Sequence, residues 1–211
     1  MLFTDTLGKP ALELLKALQN KPYLKGFYLV GGSALALYLG HRRSIDLDLF
    51  SIADFDTENL LENLQQDFNY RIYLSAANTL KGSINQINVD IIAHRYPLVG
   101  DPLFSDGIAI ISMKDIVAMK LNAIATSGQR SKDFVDVFYS FGNFGLKEML
   151  EFYKIKYHQE DDTHILKSLI YFNDVDLSDW LVLIKDSGLK WKDITSKLES
   201  EVLKYIHKFK Q

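Results

Sequence analysis

The sequence contains no cysteine. Disulfides, thiolate zinc centres and cysteine nucleophiles are excluded, so any metal must take oxygen or imidazole ligands. Its five histidines fall into no zinc-ligand spacing, and no serine-histidine-acid arrangement stands out. Proline is scarce, with four in 211 residues, which leaves long stretches free to be helix or strand. No apolar run is long enough to cross a bilayer. Residues 1–8 have neither the basic start nor the apolar centre of a secretory leader. A soluble, cytoplasmic protein with no membrane partner is expected. Positive charge is not in excess either. A net charge of −3 excludes a polycationic coat for duplexes, while 24 lysines and arginines leave room for a local basic groove.

What is present is hydrophobic mass: 47% of the residues, enough for a core that needs no external staple. The spacing predicts a first helix over residues 10–20, then a buried strand at 26–30 ending in Gly31-Gly32. A short helix over 33–39 follows, with Ser33 as its cap. Residues 45–50 alternate strictly and predict a strand. A helix at 57–68 and strands at 70–75, 78–84 and 86–93 come next. The loop 94–107, with two prolines and two glycines, is the expected boundary. Beyond it the pattern predicts helices near 113–126, 131–141, 145–157, 163–172 and 190–209. Ser112 with Asp115 three residues on resembles a capping box. The expected fold class is α+β: a small mixed sheet flanked by helices, then a helical C-terminal region. Residues 1–107 are expected to form the catalytic core and 108–211 the mainly helical part, packed on it as one unit.

The chemistry lies in three acids. Asp46 and Asp48 are two apart on a strand and share a face, while Ile45, Leu47 and Leu49 share the other. Adjacent carboxylates repel unless a cation sits between them. Asp90 is a lone acid in the apolar strand Ile87-Asn88-Val89-Asp90-Ile91-Ile92, costly to bury unless paired or ligating a metal. Three acids from adjacent strands suit Mg²⁺ or Mn²⁺, which join carboxylates to substrate phosphates. Gly31-Gly32-Ser33 supplies a turn where a backbone approaches phosphate closely, ahead of helix N–H groups. Lys120 interrupts the apolar stripe Met113, Ile116, Ile124, so it either snorkels or meets an anion. Asp133 and Asp136 flank the buried face of the next helix, either exposed or pairing with Lys120 or Arg130. His41-Arg42-Arg43 is either a solvated loop or a guide for nucleotide or RNA, with Arg43 the candidate contact.

The order strand, Gly32-Ser33, twelve intervening residues, Asp46-Leu47-Asp48 resembles the signature of the DNA polymerase beta-like nucleotidyltransferase superfamily. More narrowly, LVGGSALALYLGHRRSIDLDLFS, NVDII and MKDIVAMKLNAIATSGQRSKDFVDVF look like the AbiEii/AbiGii toxin family. That resemblance implies a nucleotidyltransferase-type fold and a Mg²⁺-dependent transfer of a nucleotide from an NTP to an acceptor. It implies phosphate binding by Gly31, Gly32 and Ser33 and metal binding by Asp46, Asp48 and Asp90. It also implies a catalytic role for Lys120 beside the three acids, and nucleotide binding by Arg43 and by the Lys132-Asp133 motif with Asp136. The acceptor it suggests is RNA, such as a tRNA 3′ end, with a separately encoded antitoxin as partner. Two alternatives stay open: a small-molecule nucleotidyltransferase of the antibiotic-modifying kind, and a non-catalytic nucleotide-binding module.

Overall fold

Alternation along three segments builds the centre of the molecule: β1 (Phe27–Val30), β2 (Leu47–Ser51) and β5 (Ile87–Ala93). The computed structural model describes residues 2–178 and 180–209. Around the central strands it adds β3 (Arg71–Ala76), β4 (Thr79–Ile84), β6 (Leu103–Ser105) and β7 (Ile108–Ile110). The seven form one sheet in the order β3-β4-β5-β2-β1-β7-β6. It is mixed, with β2 parallel to β5 and β1 parallel to β7, as expected.

Register fixes what each face carries. Leu80, Ile91, Leu49, Leu29 and Ile110 are successive partners across five strands, and all are fully buried. Burying such a side chain stabilises by roughly 1.5–3 kcal/mol, so this row pins the pairing. One residue along, Lys81, Asp90, Asp48 and Val30 form the neighbouring row. Because side chains alternate between faces, pinning the apolar row sets the acids on the other side. A slip of one residue would bury the acids and expose the leucines.

Helices α1 (Lys9–Gln19), α2 (Gly31–Leu39) and α3 (Thr57–Phe68) accompany the sheet. Asp56 caps α3 by accepting from the Asn59 N–H at 3.0 Å. For α2 the expected cap is not used: the helix starts at Gly31, with Val30 as N-cap, and Ser33 lies inside its first turn. The helical part comprises α4 (Met113–Thr126), α5 (Ser131–Ser140), α6 (Leu146–Tyr157), α7 (Thr163–Leu169) and α8 (Trp191–Phe209). Ser112 caps α4 through the Asp115 N–H at 3.1 Å. Ile116 packs with the sheet core, whereas Val117, Leu121 and Ile124 pack in a second core of helices. One helix thus joins both cores.

Two stretches differ from the sequence reading. The hairpin β6-β7 follows the proline-containing loop and returns to the sheet beside β1, so sheet continues past Gly107 to Ile110. Each strand is three residues long, too short for a period to register. The helix expected over 163–172 ends at Leu169, and from there to Trp191 the described residues form a strap. Its Val182 carbonyl accepts from Arg43 N–H at 2.9 Å, and Ile184 N–H donates to His41 carbonyl at 2.8 Å. Among the described residues no helix is long and apolar enough to cross a membrane.

Candidate active site

Parallel pairing of β2 with β5 makes Asp48 and Asp90 direct neighbours on one face. Asp46 stands just before β2, and its Oδ1 accepts from Asn88 Nδ2 at 3.0 Å. Lys81, next in the row, places its half-exposed ammonium 3.2 Å from Asp90 Oδ2. Burial, followed by the charges of Asp90 and Asp46, pushes the Asp48 carboxyl up to about 6. Lys120 and Arg130 pull the other way without cancelling it.

β1 runs into α2 without a loop. Gly31 adopts φ of 70°, and a Cβ there would collide with Asp48 Oδ2, so a carboxylate lies directly against the helix start. A Cβ on Gly32 would collide with the Arg42 guanidinium. Ser33 is buried, and its hydroxyl donates to the Asp46 carbonyl and shares a 2.9 Å hydrogen bond with Ser44 Oγ. That side chain clips the start of α2 to the start of β2 and so sets the spacing between the glycine turn and the acids.

Behind the acids lies a buried ionic network. Lys120 Nζ is 2.6 Å from Asp133 Oδ1 and 2.7 Å from Asp136 Oδ2. Asp136 also accepts from Arg42 Nε at 2.7 Å, from Arg42 Nη2 at 3.0 Å and from His41 Nε2 at 2.8 Å. Asp133 accepts from Arg130 Nε at 2.9 Å. Burial would raise both carboxyls, but Lys120, with Arg130 for Asp133 and Arg42 for Asp136, holds them below the usual range. Burial would likewise lower Lys120, but Asp136 and Asp133 outweigh it and keep the ammonium charged. At His41 burial wins over Asp136 and lowers the pKa, so the ring is neutral and donates from Nε2. Its buried Nδ1 has no hydrogen-bond partner among the described residues.

In front of this network, with Arg42, Lys120 and Arg130 in its lining, lies a cleft of about 600 Å³. Of the expected residues, Gly32, Ser33, Arg43, Asp46, Asp48, Asp90, Lys120 and Lys132 line it. Gly31 packs beneath Asp48 instead. Asp133 and Asp136, expected beside the nucleotide, are buried behind the wall, because each is consumed by neighbouring cations. Lys120 does not snorkel. His41 and Arg42 are not a solvated loop but are buried, leaving Arg43 as the exposed member. The pairing of Arg42 with Asp136 is the part of that basic segment the sequence does not announce. A clue lay in Asp136 on a helix face beside Phe134, Val137 and Phe138, an acid that needed a cation from elsewhere.

The donor set suits a hard, oxygen-ligated dication: three carboxylates share one face, and their mutual repulsion helps hold Asp48 near 6. Among the described residues, however, no three His, Cys, Asp or Glu side chains are gathered to hold a metal outright. Asp46 is turned to Asn88 and Asp90 to Lys81. An ion would have to compete with both contacts.

Comparison with known proteins points one way. A family model described as nucleotidyl transferase AbiEii toxin, Type IV TA system, matches residues 13–99. That block contains Gly31 to Asp90 and ends before Lys120. An uncharacterised protein of Aquifex aeolicus (strain VF5) is 31% identical over 206 residues, 95% of this chain and 98% of that one. Among solved structures, MenT4, a nucleotidyltransferase toxin from Mycobacterium tuberculosis H37Rv, superposes with a TM-score of 0.56 at 15% identity, covering 95% of this chain and 87% of that chain. JHP933 from Helicobacter pylori gives 0.56 at 19% identity, covering 97% and 95%. At such identities these two establish the fold alone.

Proposed function

This chain belongs to the AbiEii nucleotidyl transferase toxin family, and from that premise we propose that it moves a nucleotide from an NTP, with Mg²⁺, onto the 3′ hydroxyl of an RNA. The observation that carries the reading is the meeting of Asp46, Asp48 and Asp90 with Gly32 and Ser33 of the helix start in one cleft, with Gly31 packed beneath Asp48. Backbone N–H groups at the start of α2, with Arg43 and Arg130, grip the outer phosphates. Asp46 and Asp48 hold the cation, with Asp90 beside them. Bound there, Mg²⁺ supplies positive charge to the phosphate oxygens. The acceptor hydroxyl forms the new bond to the α-phosphorus, its proton passes to Asp90, and the bond to the bridging oxygen breaks to release pyrophosphate. Lys120, fixed between Asp133 and Asp136 and facing Asp48, adds preorganised charge as the phosphoryl group transfers.

A toxin role and a separately encoded antitoxin belong to the same proposal and rest on the family alone. The test offers each α-labelled NTP with Mg²⁺ and cellular RNA, protein and small-molecule fractions. Label in RNA supports the reading. Label in small molecules alone would move the enzyme to the antibiotic-modifying kind, and nucleotide binding without transfer would leave a binding module.

A further inference from the structure

We propose that the edge of the sheet beside the acids is the acceptor platform, with Tyr73 stacking on a terminal base of a single-stranded RNA. This rests on the transferase reading above and names where its second substrate lies. The row carrying the acids continues outward: Asp48 pairs with Asp90, Asp90 with Lys81, and Lys81 with Leu74 on the edge strand β3. The pairing of β3 shifts between Ile72 and Leu74, so Tyr73 sits at an irregularity, a device that re-aims a side chain. Its ring lines the cleft together with Leu74. Tyr73 is 67% exposed and Leu74 47%. The Tyr73 hydroxyl is tied to Ser83 Oγ at 2.5 Å, which leaves the ring fixed but uncovered. A fixed aromatic face loses little freedom when a base stacks on it.

Direction follows from the chemistry. In an in-line displacement the attacking oxygen enters opposite the leaving group. The glycine turn lies on the β1 side of the acids, since Val30 precedes Gly31 and pairs with Asp48. If pyrophosphate departs toward that turn, the hydroxyl arrives from the β4-β3 side, where Tyr73 stands. Leu74 is two strand spacings from Asp90, or about 10 Å, a distance one nucleotide can bridge. Lys81 and Arg71, whose cross-strand partners Asp90 and Ser83 share that face, supply cations for the strand's phosphates. The Lys81–Asp90 pair is half-exposed and therefore weak enough for a phosphate to compete. An open aromatic face flanked by cations is how single strands are bound without base reading.

The test measures binding of a short single-stranded RNA bearing a 3′ hydroxyl, and separately of Mg²⁺-NTP, to wild type, Tyr73→Ala and Tyr73→Phe. Melting curves check that each variant folds. Tyr73→Ala should weaken RNA binding by about 5- to 150-fold, the effect of losing one stacked base. Tyr73→Phe, which keeps the ring but loses its tie to Ser83, should weaken binding far less than Tyr73→Ala, and NTP affinity should be unchanged in both. RNA affinity untouched by Tyr73→Ala overturns the platform, as does a loss confined to NTP, which would assign the ring to the incoming base. Failure of the wild type to label RNA would sink the transferase reading separately, because the binding measurement does not depend on turnover.

Discussion

Asp48 is held against a helix start and beside Asp90, so its ionisation opposes the fold. Its pKa is raised from 3.8 to about 6; hence between those values the folded state holds more protons than the unfolded one. Stability therefore falls as pH rises through that window and stays lower above it. Asp48→Asn removes the ionisation. Without divalent cation, we expect the variant to match wild type near pH 4 and to exceed it above pH 7, by on the order of 2 kcal/mol. Denaturant melts at the two pH values check this, and equal stability at both would mean that the carboxyl is not strained. Lys120 behaves in the opposite sense. Lys120→Met leaves Asp133 with Arg130, and Asp136 with Arg42 and His41, but removes the ammonium that joins the two acids. A loss of about 3–5 kcal/mol is expected, read from the denaturant midpoint. Its role in transfer is better probed by Lys120→Arg. The carboxylates were legible because a period of two puts Asp46 and Asp48 on one face and singles out Asp90. The partners of Asp136 were not, because His41 and Arg42 lie 95 and 94 residues away and no local pattern encodes such a contact.

At the scale of elements, the helices were the clearest part of the sequence, since an apolar stripe every three to four residues repeats over two or more turns. The predicted α4 through α8 match the observed helices closely. Short strands and the strap were not legible: β6 and β7 offer three residues each, and the strap is held by backbone hydrogen bonds to His41 and Arg43. A second buried ion pair was also invisible. Lys156 of α6 reaches Asp115 of α4 at 2.8 Å, with both side chains fully buried. Asp115 further accepts from the Val99 and Gly100 N–H groups at 3.0 and 3.2 Å, so one carboxylate ties α4, α6 and the loop after β5 together. Lys156→Met should cost about 3–5 kcal/mol by leaving that carboxylate uncompensated. Because the pair lies outside the cleft lining, NTP affinity measured below the melting transition should be retained. A stable Lys156→Met protein, or one folded but unable to bind NTP, would contradict this division between scaffold and site.

For the whole molecule, the sheet places the acids and the helical part aims cations at them. α4 carries both duties, with Ile116 in the sheet core, Leu121 in the helical core and Lys120 between, facing the cleft. If Asp46, Asp48 and Asp90 perform nucleotidyl transfer in that cleft, pyrophosphate release and label transfer from an α-labelled NTP to RNA, with Mg²⁺, should both depend on Asp48 when wild type and Asp48→Asn are compared at pH 7.5. Wild type should produce both signals in equal amounts. Asp48→Asn, folded and at least as stable without metal, should lose both by at least about two orders of magnitude. Transfer by Asp48→Asn at the wild-type rate would place the chemistry elsewhere in the molecule.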